Sequence, residues 1–312
     1  MKGSHPFSGI LGLIPVLWVN FSVHAQDNEP LIQADRMQQV SASVYAIPDN
    51  FVPLVPNVGI IVGKRATLVV DTGLGPRNGE TILQAVNRVS SNTILYVVTT
   101  HYHPEHTLGT AGLGSEALLI TAKVQQEEMA NGEGIKNLFA RRSAVTAELL
   151  SGVDYPVADI LFEDEIVLDL GGLTARLFQS GSLHTQGDTL VFVEEEAVLF
   201  TGDTVMLGVF PSLDAVNGSV ARWVEFLDHL EELDPSVIVG AHGSIGDKSM
   251  LENWRQLFAA LTEETRLLKQ QGLSENDAAA RLNTEFSEQY PQWKSDSRRM
   301  SAAVATLYRE LP

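Results

Sequence analysis

Thr99-Thr100-His101-Tyr102-His103-Pro104-Glu105-His106 is the stretch that decides the fold, and it comes directly after Thr93-Ile94-Leu95-Tyr96-Val97-Val98. The apolar, largely β-branched run reads as a buried strand. The segment at its end places three histidines and a carboxylate within six residues. The whole chain has 8 histidines, two of them near the N-terminus. A loop at the carboxyl end of a strand can turn several such side chains toward one point, which a regular helix or strand cannot. Imidazole and carboxylate are donors that zinc accepts at about 2.0–2.2 Å. The competing interpretation, a surface loop that happens to be rich in histidine, leaves this clustering unexplained.

Three further segments repeat the placement. Gly181-Ser182-Leu183-His184-Thr185 comes after the strand ending at Phe178. Phe200-Thr201-Gly202-Asp203-Thr204 comes after Val198-Leu199. Gly240-Ala241-His242-Gly243 comes after Val237-Ile238-Val239. Each sets one ligand-type side chain in a turn of small residues, where backbone can approach closely. Alone, each reads as an ordinary turn. Together with the first segment they predict a metal centre.

The order around these segments is strands, helices, strands, helices. Val44–Ile47, Val58–Val62 and Thr67–Val70 read as strands, residues 79–90 as an amphipathic helix and 122–150 as two helices broken near Asn131-Gly132-Glu133-Gly134. A second strand-rich block runs from Ile160 to Phe200, and an amphipathic helix spans Trp223 to Leu233. Residues 247–309 read as wholly helical with a break at Gln270-Gln271-Gly272. Two sheets packed together with helices outside account for this order.

Composition narrows the chemistry. Zero cysteines in 312 residues exclude structural disulfides, thiolate ligands and cysteine nucleophiles. The net charge of −18 disfavours nucleic acid and anionic membrane surfaces as partners. At the N-terminus, Lys2, the apolar run Ile10–Val19 and the small residues of Val23-His24-Ala25 have the form of a secretory signal cleaved after Ala25. The expected product is a periplasmic or secreted protein with no stable membrane anchor. The domain reading is signal peptide 1–25, N-terminal segment 26–43, main domain 44–246 and helical extension 247–312.

With these motifs in hand, the chain resembles the metallo-β-lactamase superfamily from about Tyr45 to Gly243. The resemblance implies an α/β fold: a four-layer αβ/βα sandwich of two mixed β-sheets with outer helices, here with a helical C-terminal extension. It implies that His101, His103 and His184 hold one metal ion. A second ion would fall to Glu105, His106 and His242, and Asp203 would bridge both. Asp71, in Val69-Val70-Asp71-Thr72-Gly73, matches the aspartate that orients ligands from behind, or else is a turn-forming residue before glycine. Glu105 departs from the family pattern, which has aspartate there. The extra methylene lengthens the reach by about 1.5 Å, which admits a compensated two-metal site, a weak second site, or a single-metal site with Glu105 shuttling protons.

The implied activity is hydrolysis of a small-molecule substrate by hydroxide generated at the metal, with Glu105 and Asp203 as catalytic residues and two Zn2+ ions per chain as the favoured cofactor. The Thr201-Gly202-Asp203 form resembles that of the superfamily's esterases, lactonases, thioesterases and phosphodiesterases, and the likeness favours an ester, lactone or thioester substrate. β-Lactam hydrolysis, a single-iron sulfur dioxygenase and a non-catalytic protein with a vestigial site remain alternatives. The sequence leaves the oligomeric state open. His229, Lys123, Arg141 and Arg142 read as exposed helix faces, and Phe139, Phe210 and Met206 as core or cleft-mouth residues.

Overall fold

The computed structural model describes residues 29–214, 216–291, 293 and 297–312; the expected signal segment lies outside them. One seven-stranded sheet runs in the order β1 (Gln38–Gln39), β2 (Val44–Ile47), β3 (Val58–Val62), β4 (Ala66–Val70), β5 (Ile94–Val98), β6 (Ala117–Ala122), β7 (Ile160–Phe162). It is antiparallel from β1 to β4 and parallel from β4 to β7. The second sheet comprises β8 (Glu165–Asp169), β9 (Thr174–Gln179), β10 (Thr189–Val193), β11 (Val198–Gly202) and β12 (Val237–Gly240). Only its β11–β12 pair is parallel, so both sheets are mixed.

Strands buried on both faces lose the alternation of apolar and polar residues, and this is why β4, β10 and β11 read as largely apolar runs. Val70, Val98 and Ile120 of the first sheet meet Leu177, Val191 and Phe200 of the second in the layer between them. On the outer face of the first sheet, Val69 and Val97 pack on Ile82, Ala85 and Val86 of α1 (Pro76–Val89). The outer face of the second carries Leu199 and Ile238 against Trp223 and Leu227 of α6 (Val220–Glu232) and Trp254 of α7 (Ser249–Gln270). The result is the four-layer sandwich expected, with helices on both outer faces.

Helix boundaries depart from the sequence reading in two places. The region expected to hold two helices holds three: α3 (Lys123–Ala130), α4 (Glu133–Ala140) and α5 (Ala144–Leu149). Ser143 caps the third, its hydroxyl accepting from the Thr146 amide at 3.1 Å while the Thr146 hydroxyl accepts from the Ser143 amide at 3.0 Å. The C-terminal extension is α7, α8 (Glu275–Gln289) and α9 (Ser297–Glu310), so a second break lies after Gln289 besides the one at Gln271-Gly272. Trp254 ties α7 to the sandwich: its indole N–H donates to the Met206 carbonyl at 2.7 Å, and its ring stacks on Trp223. Among the described residues no helix is long and apolar enough to cross a membrane.

Candidate metal centre

Strand direction brings the ligand-type residues together. β4 and β5 are parallel neighbours, and β9, β11 and β12 point the same way in the second sheet. Their carboxyl ends therefore open on one edge of the sandwich, carrying Asp71, His101, His184, Asp203 and His242 respectively. α2 (Pro104–Thr107) starts after His103, with Pro104 in its first turn, where a missing N–H costs nothing. It delivers Glu105 and His106 to the same edge.

Three imidazole nitrogens converge. His103 Nδ1 lies 3.0 Å from His101 Nε2 and 3.3 Å from His184 Nε2. Tetrahedral ligands at zinc–nitrogen distances stand about 3.3 Å apart. A second group, Glu105, His106 and His242, has its ligand atoms within 4.8 Å of one another, as does a third made of His101, His106 and Asp203. Asp203 faces both: Oδ2 is 3.5 Å from His184 Nε2, while Oδ1 is 3.8 Å from His106 Nε2 and 3.7 Å from His242 Nε2. One carboxylate oxygen looks toward each group.

Most of these rings are held from behind. His106 Nδ1 is 2.8 Å from Asp71 Oδ2, His184 Nδ1 2.6 Å from the Ser212 carbonyl, and His242 Nδ1 3.0 Å from the Val55 carbonyl. An acceptor at one ring nitrogen fixes the tautomer and turns the other nitrogen inward. Asp71 also accepts from the Thr100 amide at 2.7 Å and from the Thr100 hydroxyl. It does so from a left-handed backbone, φ 64°, a conformation that non-glycine residues adopt rarely and at some cost. The reading of Asp71 as merely a turn residue does not account for these contacts. Gly202, at φ 55°, lets the chain turn before Asp203; a Cβ there would lie 2.8 Å from the Thr100 side chain.

The cage is electrostatically unusual. Burial, then crowding by neighbouring imidazoles, lowers His101 well below the ordinary histidine value; His103 is lowered for the same reasons. Burial raises Glu105. Burial would also raise Asp203, but His242, His184 and His106 override it and hold its carboxyl well below the carboxylate range. For His106 burial acts downward, and the Asp71 carboxylate outweighs it, moving the imidazole up to about 9.

Glu105 Oε2, His106 Nε2 and Asp203 Oδ1 are buried with no hydrogen-bond partner among the described residues. Buried polar atoms without partners are costly, and an arrangement that aims three of them at one space needs an occupant. Nitrogen and oxygen donors without thiolate suit a divalent cation of the zinc class. The donor set fits metal.

Several residues that the sequence does not single out position this centre. Asn57 donates to the carbonyls of Gly240 and Gly243, and Asp49 accepts from the Gly243 amide, together fixing the turn around His242. Asp188 accepts from the amides of His184 and Thr185 and from the Thr185 hydroxyl. Glu128 accepts from the amides of Gln186 and Gly187, both at 3.0 Å. Asn57 and Gly243 are 186 positions apart, and no local spacing signals such a contact. Only Asp188, four residues after His184 in the same turn, has a local cue. Of the outer residues, Phe210 and Met206 are buried core, whereas Phe139 and Arg142 line the cleft above the cage. Arg142 is exposed as expected, but it stands in the turn after α4, beside the cleft. Lys123 sits on an exposed helix face, paired with Glu163, and His229 is half exposed.

Two facing mixed sheets with a cage of imidazoles and carboxylates at their shared edge define a class of metal-dependent hydrolases. The profile of the metallo-beta-lactamase superfamily matches residues 52–242. The chain belongs to that superfamily and is a hydrolase of its fold. A metallo-beta-lactamase type 2 from Bacteroides fragilis is 20% identical over 216 residues, covering 68% of this chain and 79% of that protein. An atrochrysone carboxyl ACP thioesterase from Passalora fulva is 22% identical over 228 residues, 71% of this chain and 58% of the thioesterase. Among solved structures, a double mutant of the sec-alkyl sulfatase PisA1 superposes with a TM-score of 0.67 at 18% identity, covering 88% of this chain and 50% of the sulfatase. The chain thus spans little more than half the length of the thioesterase and half that of the sulfatase. An 88% share of 312 residues exceeds everything that precedes α7, so the sulfatase's fold extends into the C-terminal helices as well.

Proposed function

We propose that this chain is an exported hydrolase of ester, lactone or thioester bonds that works with two metal ions, zinc in the first instance. In this reading His101, His103 and His184 hold one ion, Glu105, His106 and His242 the other, and Asp203 serves both. The observation that carries it is the convergence of three partnerless buried donors, Glu105 Oε2, His106 Nε2 and Asp203 Oδ1, beside the imidazole triad.

Such cations, when bound, supply Lewis acidity that acidifies water and polarises a carbonyl oxygen. The chain supplies placement and proton handling. Asp203, kept ionised by the surrounding imidazoles, accepts a hydrogen bond from the attacking water and aligns it. Glu105 would hold its ion as a carboxylate, without a proton of its own, so the proton the leaving group needs comes from the attacking water by way of the hydrogen bond to Asp203. Asp71 keeps Nε2 of His106 turned inward throughout.

Elemental analysis of the purified mature protein, then turnover of ester, thioester, lactone, β-lactam and alkyl sulfate substrates, tests the proposal. Two zinc ions per chain with preference for carboxylic esters, thioesters or lactones are expected. One iron per chain would favour the oxygenase alternative. No bound metal would leave the vestigial one, and turnover confined to β-lactams or alkyl sulfates would replace the substrate class. Sequencing the N-terminus of the exported protein checks cleavage after Ala25.

A further inference from the structure

Above the cage the cleft encloses about 890 Å3, and segments outside the strand framework wall it. Phe51 and Leu54 come from the β2–β3 loop, Leu138, Phe139 and Arg142 from α4 and the turn after it. Trp293, Arg298 and Arg299 come from the C-terminal region. The lining is mainly apolar, yet it gathers arginines.

That gathering runs against the composition of the chain, in which 39 acidic residues face 21 basic ones. Part of the surface charge is taken up by this excess, while Lys64, Arg77 and Arg141 make no ion pair among the described residues. Arg65 pairs with Asp169, Arg176 with Glu165, Arg255 with Asp228 and Glu231, and Arg281 with Glu285. Arg142 makes no ion pair among the described residues. Its guanidinium carbon instead stands 4.3 Å from the centroid of the Phe139 ring, which is itself 6.1 Å from the His103 ring. Stacking uses the face of the guanidinium and leaves its N–H edge for a ligand. From the side of α9, Arg299 donates from Nη1 to the Phe210 carbonyl at 2.5 Å.

Arg142 is exposed, and its N–H edge gains a charged partner only from an anion, while the apolar walls are covered only by an apolar chain. A molecule that is both anionic and apolar satisfies both. We propose that the cleft selects amphiphilic substrates carrying an anionic group apart from the scissile bond, with Arg142 receiving the anion. Phe51, Leu138, Phe139 and Trp293 receive the apolar chain. The catalytic half of this inference rests on the hydrolase reading; the binding half does not require turnover.

Two readouts on the zinc-loaded full chain separate them. The first compares kcat/KM for mono-4-nitrophenyl suberate with that for 4-nitrophenyl octanoate, which match in length and differ in the terminal carboxylate. The second is calorimetric binding of decanoate. The suberate ester is expected to be preferred by about ten-fold, roughly what one charged hydrogen bond contributes. Arg142→Ala should raise KM for the suberate ester and weaken decanoate binding by a similar factor, with metal content unchanged. Arg142→Lys should recover part of each loss. Should neither ester turn over while decanoate binding still depends on Arg142, the hydrolase reading fails and the binding site stands. Equal turnover of the two esters, or decanoate binding that ignores Arg142→Ala because the carboxylate sits on the metals alone, overturns the inference.

Discussion

The edge where the two sheets meet and the walls rising above it are built on different terms. At the edge, His101 and His106 are almost wholly buried, Asp71 is 1% exposed, and three of the cage rings have a protein acceptor within 3.0 Å behind them. In the walls, Phe51 is 59% and Leu138 48% exposed, and they ride on loops or short helices. Side chains held by burial and hydrogen bonds have one geometry; side chains on exposed connections are free to vary with the substrate. Under the proposed function, reaction chemistry falls to the edge and substrate choice to the walls, so the two should be alterable separately.

The largest test of that division removes a ring from the edge. His101→Ala or His184→Ala should abolish metal at the triad and reduce turnover more than about 1,000-fold, the scale of losing a metal-centred catalyst. Metal analysis beside kinetics checks this, and near-normal activity in either variant would remove the assignment. Chelation of the wild-type protein should have the same effect, reversed by zinc.

Asp71→Asn comes next, because it leaves the cage rings in place and withdraws the carboxylate behind one of them, His106. Loss of such a partner typically weakens metal binding by about 10–100-fold. It also carries a pH signature in the metal-free protein. Burial opposes protonation of His106, but Asp71 raises it from 6.5 to about 9, so the folded state holds its proton more tightly than the unfolded chain does. The stabilisation is complete below pH 6.5 and disappears as pH rises through 9, on the order of 3 kcal/mol in all. Denaturation midpoints between about pH 6.5 and 9.5 should fall in the wild type and stay flatter in Asp71→Asn. Parallel curves would show that the pair does not titrate as described.

Glu105→Asp probes fit. The shortened carboxylate is the residue that the resemblance implies at this position and should keep or raise occupancy of the second metal position, with turnover changed only a few-fold. A folded variant that loses this metal would mean that α2 is built around glutamate.

The smallest effect is expected at Glu128→Gln, which keeps one acceptor for the two amides of the His184 turn. Weakening this clamp should cost about 1 kcal/mol, seen as a several-fold rise in the metal dissociation constant at the triad. A change in ester selectivity with unaltered metal affinity would erase the boundary between edge and walls.

Legibility obeys the same boundary. His101, His103, Glu105 and His106 fall within one turn of chain after an apolar strand, so their convergence is a local event with a local signal. His184, Asp203 and His242 each close a strand in a turn of small residues, and their common address is readable once the strands are recognised. β6 is hidden because Ala117–Ala122 lacks alternation and merges with the helical pattern after it. The third helix of the insertion is signalled by Ser143 and Thr146 but masked by the more obvious break at Asn131-Gly132.

The sequence by itself determined that the chain holds a metal-type donor set, in what order, and on which kind of scaffold, because strand periodicity and ligand spacing are properties of neighbours along the chain. Only the tertiary structure decided that Asp203 turns one oxygen to each ligand group, that Asn57 and Asp49 clamp the His242 turn, and that Arg142 and Arg299 line one cleft. Those facts depend on residues as much as 194 positions apart, and packing alone brings them within reach.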